Sequence, residues 1–155
     1  MEDAALLWQW ASDPETRRNA FNKAPIPYAD HLVWLEKRLE SDTTQIRIFN
    51  DGDLPVGQVR FDMWADHAEI SISVAPGCRE RGYGRAMLTE AARCFAEEIM
   101  PGVQLRARVL AHNIASLKLF ESCGFREIGV EQHGEKRAIV FEFMGASVRG
   151  ARDLR

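Results

Sequence analysis

The chain has 155 residues, 46% hydrophobic and 28% charged, with a formal net charge of −3, which suits one soluble globular domain able to bury most of its unfolded surface. That mildly acidic balance excludes an ordinary nucleic-acid binder, which would be strongly basic. No apolar run reaches the length of a membrane span and no basic-then-apolar leader opens the chain, so no membrane partner and a cytoplasmic location are expected.

The first forty residues read as helices. Asp3 is a candidate cap for AALLWQWA, and Asp13-Pro14 places a capping carboxylate before a proline at the first helical position of ETRRNAF. Asp30 is a candidate cap for HLVWLEKRLE, where Leu32, Leu35 and Leu39 recur at helical spacing. From Thr44 the period changes to two. TQIRIFN alternates, DGD is a hairpin turn, PVGQVRFDMW alternates again, and HAEISISVA sets Ile70, Ile72 and Val74 against Glu69, Ser71 and Ser73. A helix of about four turns follows, with Met87, Leu88, Ala91, Ala92, Phe95 and Ile99 on its buried stripe, until Pro101-Gly102. VQLRARVL is a strand, and NIASLKLFESC a helix that Asn113 can cap and Gly124 stops. FREIGV and KRAIVFEFM form a hairpin around His133-Gly134. Residues 1–145 are expected to form one domain, with 146–155 a flexible tail. The order predicts an α/β fold with a mixed sheet.

Cys78, Cys94 and Cys123 lack metal-ligand spacing and read as reduced thiols, so no metal is expected. The informative stretch is PGCRERGYGRAML, where Arg79, Arg81 and Arg85 surround Gly82 and Gly84 between a strand and a helix. The P-loop string is absent, and GYGRAM lacks the third glycine of the dinucleotide fingerprint. R-x-x-G-x-G remains, which can aim backbone N–H groups and a positive helix end at one anion. A glycine-rich turn with no ligand is the alternative.

ISISVAPGCRERGYGRAML followed by NIASLKLFESCGF resembles the two motifs of the GNAT acetyltransferases: a strand ending V-x-P before [QR]-x-x-G-x-[GA], then N-x-x-[AS]-x-x-L-[YF] running into GF. The resemblance covers roughly Thr44 to Met144. It implies a GNAT-like, mostly antiparallel central sheet flanked by helices, with acetyl-CoA as cosubstrate. Arg79, Glu80, Arg81, Gly82, Tyr83, Gly84 and Arg85 would seat its diphosphate, with Glu80 and Tyr83 pointing outward. Ile72 and Val74 would pair with the pantetheine arm, Asn113 would contact it from the other side, and Phe120 would lie beside the sulfur.

Acetyl transfer from a thioester to an amine requires that the ammonium lose a proton, the oxyanion find a donor and the thiolate leave. The resemblance implies a backbone N–H near Val74 as the oxyanion donor. Glu69 is the candidate base, against the alternative of a solvated strand residue, with His67 and His112 behind it. Many family members carry a tyrosine acid where this chain has Phe120, so Ser116, Ser122, water or the product ammonium must serve, or expulsion needs no acid.

The opening WQWASDPETRRNAF and HLVWL resembles GNATs acting on nucleotide-linked amino sugars, of the pseudaminic-acid type. That likeness makes Arg17, Phe21, His31 and Trp34 candidate acceptor-binding residues, with arginine suited to a diphosphate. Core packing for the tryptophans and a solvated helix face for Arg17 and Arg18 are the alternatives. A RimJ/RimL-like enzyme acting on protein N-termini, a small-amine acetyltransferase and a non-catalytic acyl-CoA-binding module also remain open. Family members usually begin with an edge strand that is not evident here, so an open edge near Ile46 to Phe49 is expected to be covered by the tail or by a second subunit in a homodimer.

Overall fold

A computed structural model describes residues 1–145; the tail expected over 146–155 lies outside the described residues. Three helices open the chain: α1 (Ala4–Ser12), α2 (Pro14–Arg18) and α3 (Tyr28–Leu39). Strands β1 (Thr44–Asp51), β2 (Leu54–Met63) and β3 (His67–Val74) follow, then α4 (Tyr83–Cys94), β4 (Gln104–Leu110), α5 (Ile114–Ser122), β5 (Phe125–His133) and β6 (Lys136–Phe143).

Two helix boundaries and one expected cap differ from expectation. Asp3 precedes α1 but makes no side-chain cap bond, because its backbone (φ −87°, ψ 3°) is outside the extended region a cap requires. Helix α3 begins three residues early, at Tyr28 after Pro27 (φ −58°), and Asp30 instead lies in its first turn beside the positive helix end. Helix α2 stops at Arg18, short of Phe21; its Asp13 cap accepts from the Thr16 N–H as the sequence predicts.

The strands form one six-stranded sheet in the order β1-β2-β3-β4-β6-β5. Every neighbouring pair is antiparallel except β3 and β4, which α4 connects as a parallel crossover. The mixed, mostly antiparallel sheet flanked by helices is the architecture expected. Among the described residues no strand precedes α1, and β1 forms an open sheet edge.

Alternation along β2 and β3 separates two layers. Val59, Phe61 and Ile70 point toward α4, where Phe61 stacks on Phe95 at 5.2 Å and Leu88 and Ala92 are fully buried. Past Cys94 the helix widens into a π-helical turn over Phe95–Ile99, which keeps Phe95 in this core. Close approach of α4 needs Gly57: a Cβ there would lie 2.4 Å from the Ser73 carbonyl oxygen and 2.7 Å from Met87 Cε. Gln58, Arg60 and Ser71 point to the opposite face, toward α3, whose Trp34 ring lies 5.5 Å from the Arg60 guanidinium carbon.

Candidate active site

Strands β3 and β4 pair only at His67–Gln104, Ala68–Leu105 and Glu69–Arg106. Beyond that point β3 stays with β2 as far as Val74–Gly57, while β4 follows β6 to Leu110–Ala138. The two strands therefore diverge and a wedge opens between them. Trp64 donates its N–H to the His67 carbonyl, and Ala75 donates to Val56 in the same register. Odd-numbered residues of β3 thus bond to β2, and past the last β4 pair Ile72 and Val74 turn their N–H and C=O groups into the wedge. Such a row of free backbone groups suits an extended, amide-bearing chain.

The loop leaves Val74 through a 3₁₀ turn over Pro76–Cys78. Glu80 adopts φ 59°, and Gly82, at φ 83°, caps α4 without a side chain. The first-turn N–H groups of α4 have no intrahelical partner, and they gather at the positive helix end. This suits an anion. Arg81 and Arg85 are exposed and form no ion pair among the described residues.

Arg79 is engaged differently from the expected phosphate contact. Its guanidinium bonds Asp13 at 2.7 Å, Glu15 at 2.9 Å and Thr16 Oγ1 at 3.1 Å, all at the start of α2. Burial alone would raise the Asp13 carboxyl; hydrogen bonds from Arg79 and the Thr16 N–H outweigh it and hold the group below the ordinary carboxylate value. Tyr83 points away from the wedge and donates its hydroxyl to Asp51 at 2.5 Å.

The wedge opens into a cleft of about 1320 Å³. Ile72, Val74, Arg79, Glu80, Gly82, Gly84, Arg85, Asn113 and Phe120 line it, as do Arg17, Phe21, His31 and Trp34 from the helical layer. Asn113 Oδ1 caps α5 by accepting from the Ser116 N–H at 3.3 Å. Phe120 is 3% exposed, edge-on to Phe125 at 5.0 Å and stacked on Phe141 at 5.9 Å. Glu80 is exposed at the rim, while Arg81, Tyr83 and Glu69 are outside the lining. Glu69 sits at the closed end of the wedge, bonded to Arg108 at 3.1 Å; Arg108 also reaches Glu131 at 3.5 Å.

Two of the expected acceptor residues are occupied with the protein itself. Arg17 donates to the carbonyls of Ala11 (2.7 Å), Asn22 (2.9 Å) and Ala24 (3.3 Å), fixing the segment between α2 and α3. His31 is 4% exposed, and its Nε2 is sealed with no hydrogen-bond partner. Phe21 meets His133 edge-on at 5.2 Å, and its carbonyl accepts from Lys136. Arg60 and Arg108 line the cleft and escaped the sequence reading. Their alternation in VRFDM and LRARVL was the available clue, because it puts both on the face opposite the core.

Burial lowers the His31 pKa, outweighing a backbone hydrogen bond with Ala4 that raises it. The folded ring is therefore neutral where the unfolded ring, with a pKa of about 6.5, begins to protonate. The unfolded state binds more protons below that value, so stability is held above it and lost as pH falls. We expect wild-type Tm to fall more steeply between pH 7 and pH 5 than that of His31→Leu, measured by thermal melts.

Among the described residues no group of three or more His, Cys, Asp or Glu could hold a metal ion, and no helix is long and apolar enough to cross a membrane.

This wedge-bearing sheet and glycine loop belong to an acyltransferase: residues 1–126 match the model of the acetyltransferase (GNAT) domain, and the chain belongs to that family. It is an acetyl-CoA-dependent N-acetyltransferase that acts on an amine. The non-catalytic alternative is thereby set aside. A Bacillus subtilis (strain 168) protein named "Putative phosphinothricin acetyltransferase YwnH" is 30% identical over 115 residues, 68% of this chain and 67% of that protein. The solved spermidine N-acetyltransferase of Vibrio cholerae, in complex with CoA and spermine, shares the fold at TM-score 0.79 and 16% identity, over 92% of this chain and 89% of that one.

Proposed function

We propose that acetyl-CoA lies in the wedge between β3 and β4, and that the acceptor is the primary amine of a small molecule entering from the α1–α3 side. The observation that carries this reading is the end of β3–β4 pairing at Glu69 and Arg106. It frees the backbone of Ile72 and Val74 for the amides of the pantetheine arm, with the Val74 N–H as oxyanion donor. The diphosphate rests on the amides after Arg79 and at the first turn of α4, near the exposed Arg81 and Arg85. Asn113 and Phe120 form the facing wall.

In the reaction the amine nitrogen, once deprotonated, bonds to the thioester carbonyl carbon and the carbon–sulfur bond breaks. Glu69 accepts the ammonium proton through water, its carboxylate fixed by Arg108 at 3.1 Å. Phe120 has no proton to give the thiolate, so solvent or the product ammonium supplies it.

A nucleotide-linked amino sugar is the second acceptor considered, entering the part of the cleft lined by Phe21 and Trp34. Arg17 favours it less, since its donors are directed to three backbone carbonyls. A peptide N-terminus is the third. Release of the CoA thiol, followed with phosphinothricin, free amino acids, spermidine, a UDP-linked amino sugar and N-terminal peptides, separates them. We expect the highest kcat/KM with a small amine; turnover confined to the nucleotide sugar or to peptides would overturn the reading. The open β1 edge supports a homodimer in the same protein, and a single species of monomer mass in sedimentation at high concentration would remove it.

A further inference from the structure

On the acceptor side of the cleft, one arginine is held rigid while its binding atoms stay free. Arg60 stands opposite Ser71 in the β2–β3 register, on the face turned toward α3. Its Nε donates to Asp62 Oδ2 at 2.8 Å, and its guanidinium carbon lies 5.5 Å from the centre of the Trp34 ring. Asp62 Oδ1 is already occupied by Thr44 Oγ1 at 3.1 Å and Arg38 at 3.3 Å. The terminal nitrogens of Arg60 have no partner among the described residues, and the side chain is 30% exposed where it lines the cleft.

Charge balance points the same way. Arg38 and Arg60 share a single carboxylate, Asp62, so this cluster carries an excess positive charge. Arg108, the other cation of this face in the cleft, faces both Glu69 and Glu131 and carries no such excess. A guanidinium oriented by a carboxylate at Nε and by an aromatic face presents its remaining fork to an anion in a fixed direction. The neighbouring polar side chains, Gln58 and Ser71, also line the cleft.

We propose that Arg60 is the anion-binding residue of the acceptor subsite, and that the acetylated amine belongs to a molecule that also carries a carboxylate, phosphinate or similar oxyanion. The proposal rests on the entry of the amine from the α1–α3 side. Trp34 and Asp62 are positioning residues for it. A polycation meets the wrong sign of charge at this point.

The test is steady-state kinetics of wild type, Arg60→Gln and Arg60→Lys on the amine panel, with thermal melts to establish folding. The wild type should prefer an amine carrying an anionic group. Arg60→Gln should then raise KM for that amine by about 10- to 100-fold, the worth of a charge-assisted hydrogen bond, with KM for acetyl-CoA unchanged. Arg60→Lys should recover part of the loss. Preference for spermidine or another amine without an anion, or an acceptor KM unmoved in folded Arg60→Gln, would overturn the proposal while leaving acetyl transfer in the wedge intact. Failure of the wild type to acetylate any amine would instead overturn the acceptor entry on which it rests.

Discussion

Gly82→Val is expected to weaken acetyl-CoA binding by about 10- to 100-fold. Gly82 holds φ 83° at the head of α4, a conformation that β-branched residues adopt only under strain. A Cβ at Gly82 meets nothing within 4 Å, so the substitution fits sterically and acts through the backbone alone. Strain of this kind costs roughly 1–3 kcal/mol. The chain relieves it by re-forming the cap, which turns the first-turn amides away from the anion. Isothermal titration with acetyl-CoA measures the loss, and thermal melts separate it from unfolding. Affinity equal to wild type in a folded Gly82→Val protein would remove the loop from the coenzyme site.

The second large effect is on turnover. Glu69→Gln keeps the side-chain shape and a hydrogen-bonding oxygen for Arg108 but loses the proton-accepting carboxylate. We expect kcat to fall by about 10²–10⁴-fold, the usual contribution of a positioned base, with KM for acetyl-CoA unchanged. A kcat within threefold of wild type would leave Glu69 as the anchor of Arg108 only.

Much of the fold is legible in the sequence because its signals are local. Alternation in HAEISISVA and the stripe from Met87 to Phe95 each report one buried face, and the structure buries Ile70, Met87, Leu88, Ala91, Ala92 and Phe95 accordingly. The divergence of β3 from β4 is not legible, since nothing in either strand states that pairing stops at Glu69. Pairing partners are set by the crossover through α4 and by the hold of β6 on β4.

The same distinction runs through the site. The glycine loop is visible as a string because backbone conformation depends on neighbouring residues. The fate of its arginines is not. Arg79 is claimed by Asp13, which lies 66 positions earlier, and only the folded chain brings α2 against the loop. Arg17 reads as an exposed cation on a helix, yet the end of α1 brings the Ala11 carbonyl to its donors and the turn after α2 brings those of Asn22 and Ala24. Arg60 escaped notice because one arginine in an alternating strand is ordinary; its meaning comes from Trp34 on another element.

Hydrogen exchange of the wild-type protein with and without saturating acetyl-CoA tests the coenzyme site most directly. The account predicts that the amides of Ile72, Val74 and residues 79–85 slow together, because the cosubstrate takes up the free groups of β3 and of the α4 head at once. Unchanged exchange in both segments, with acetyl-CoA bound by titration, would place the coenzyme elsewhere and contradict the account.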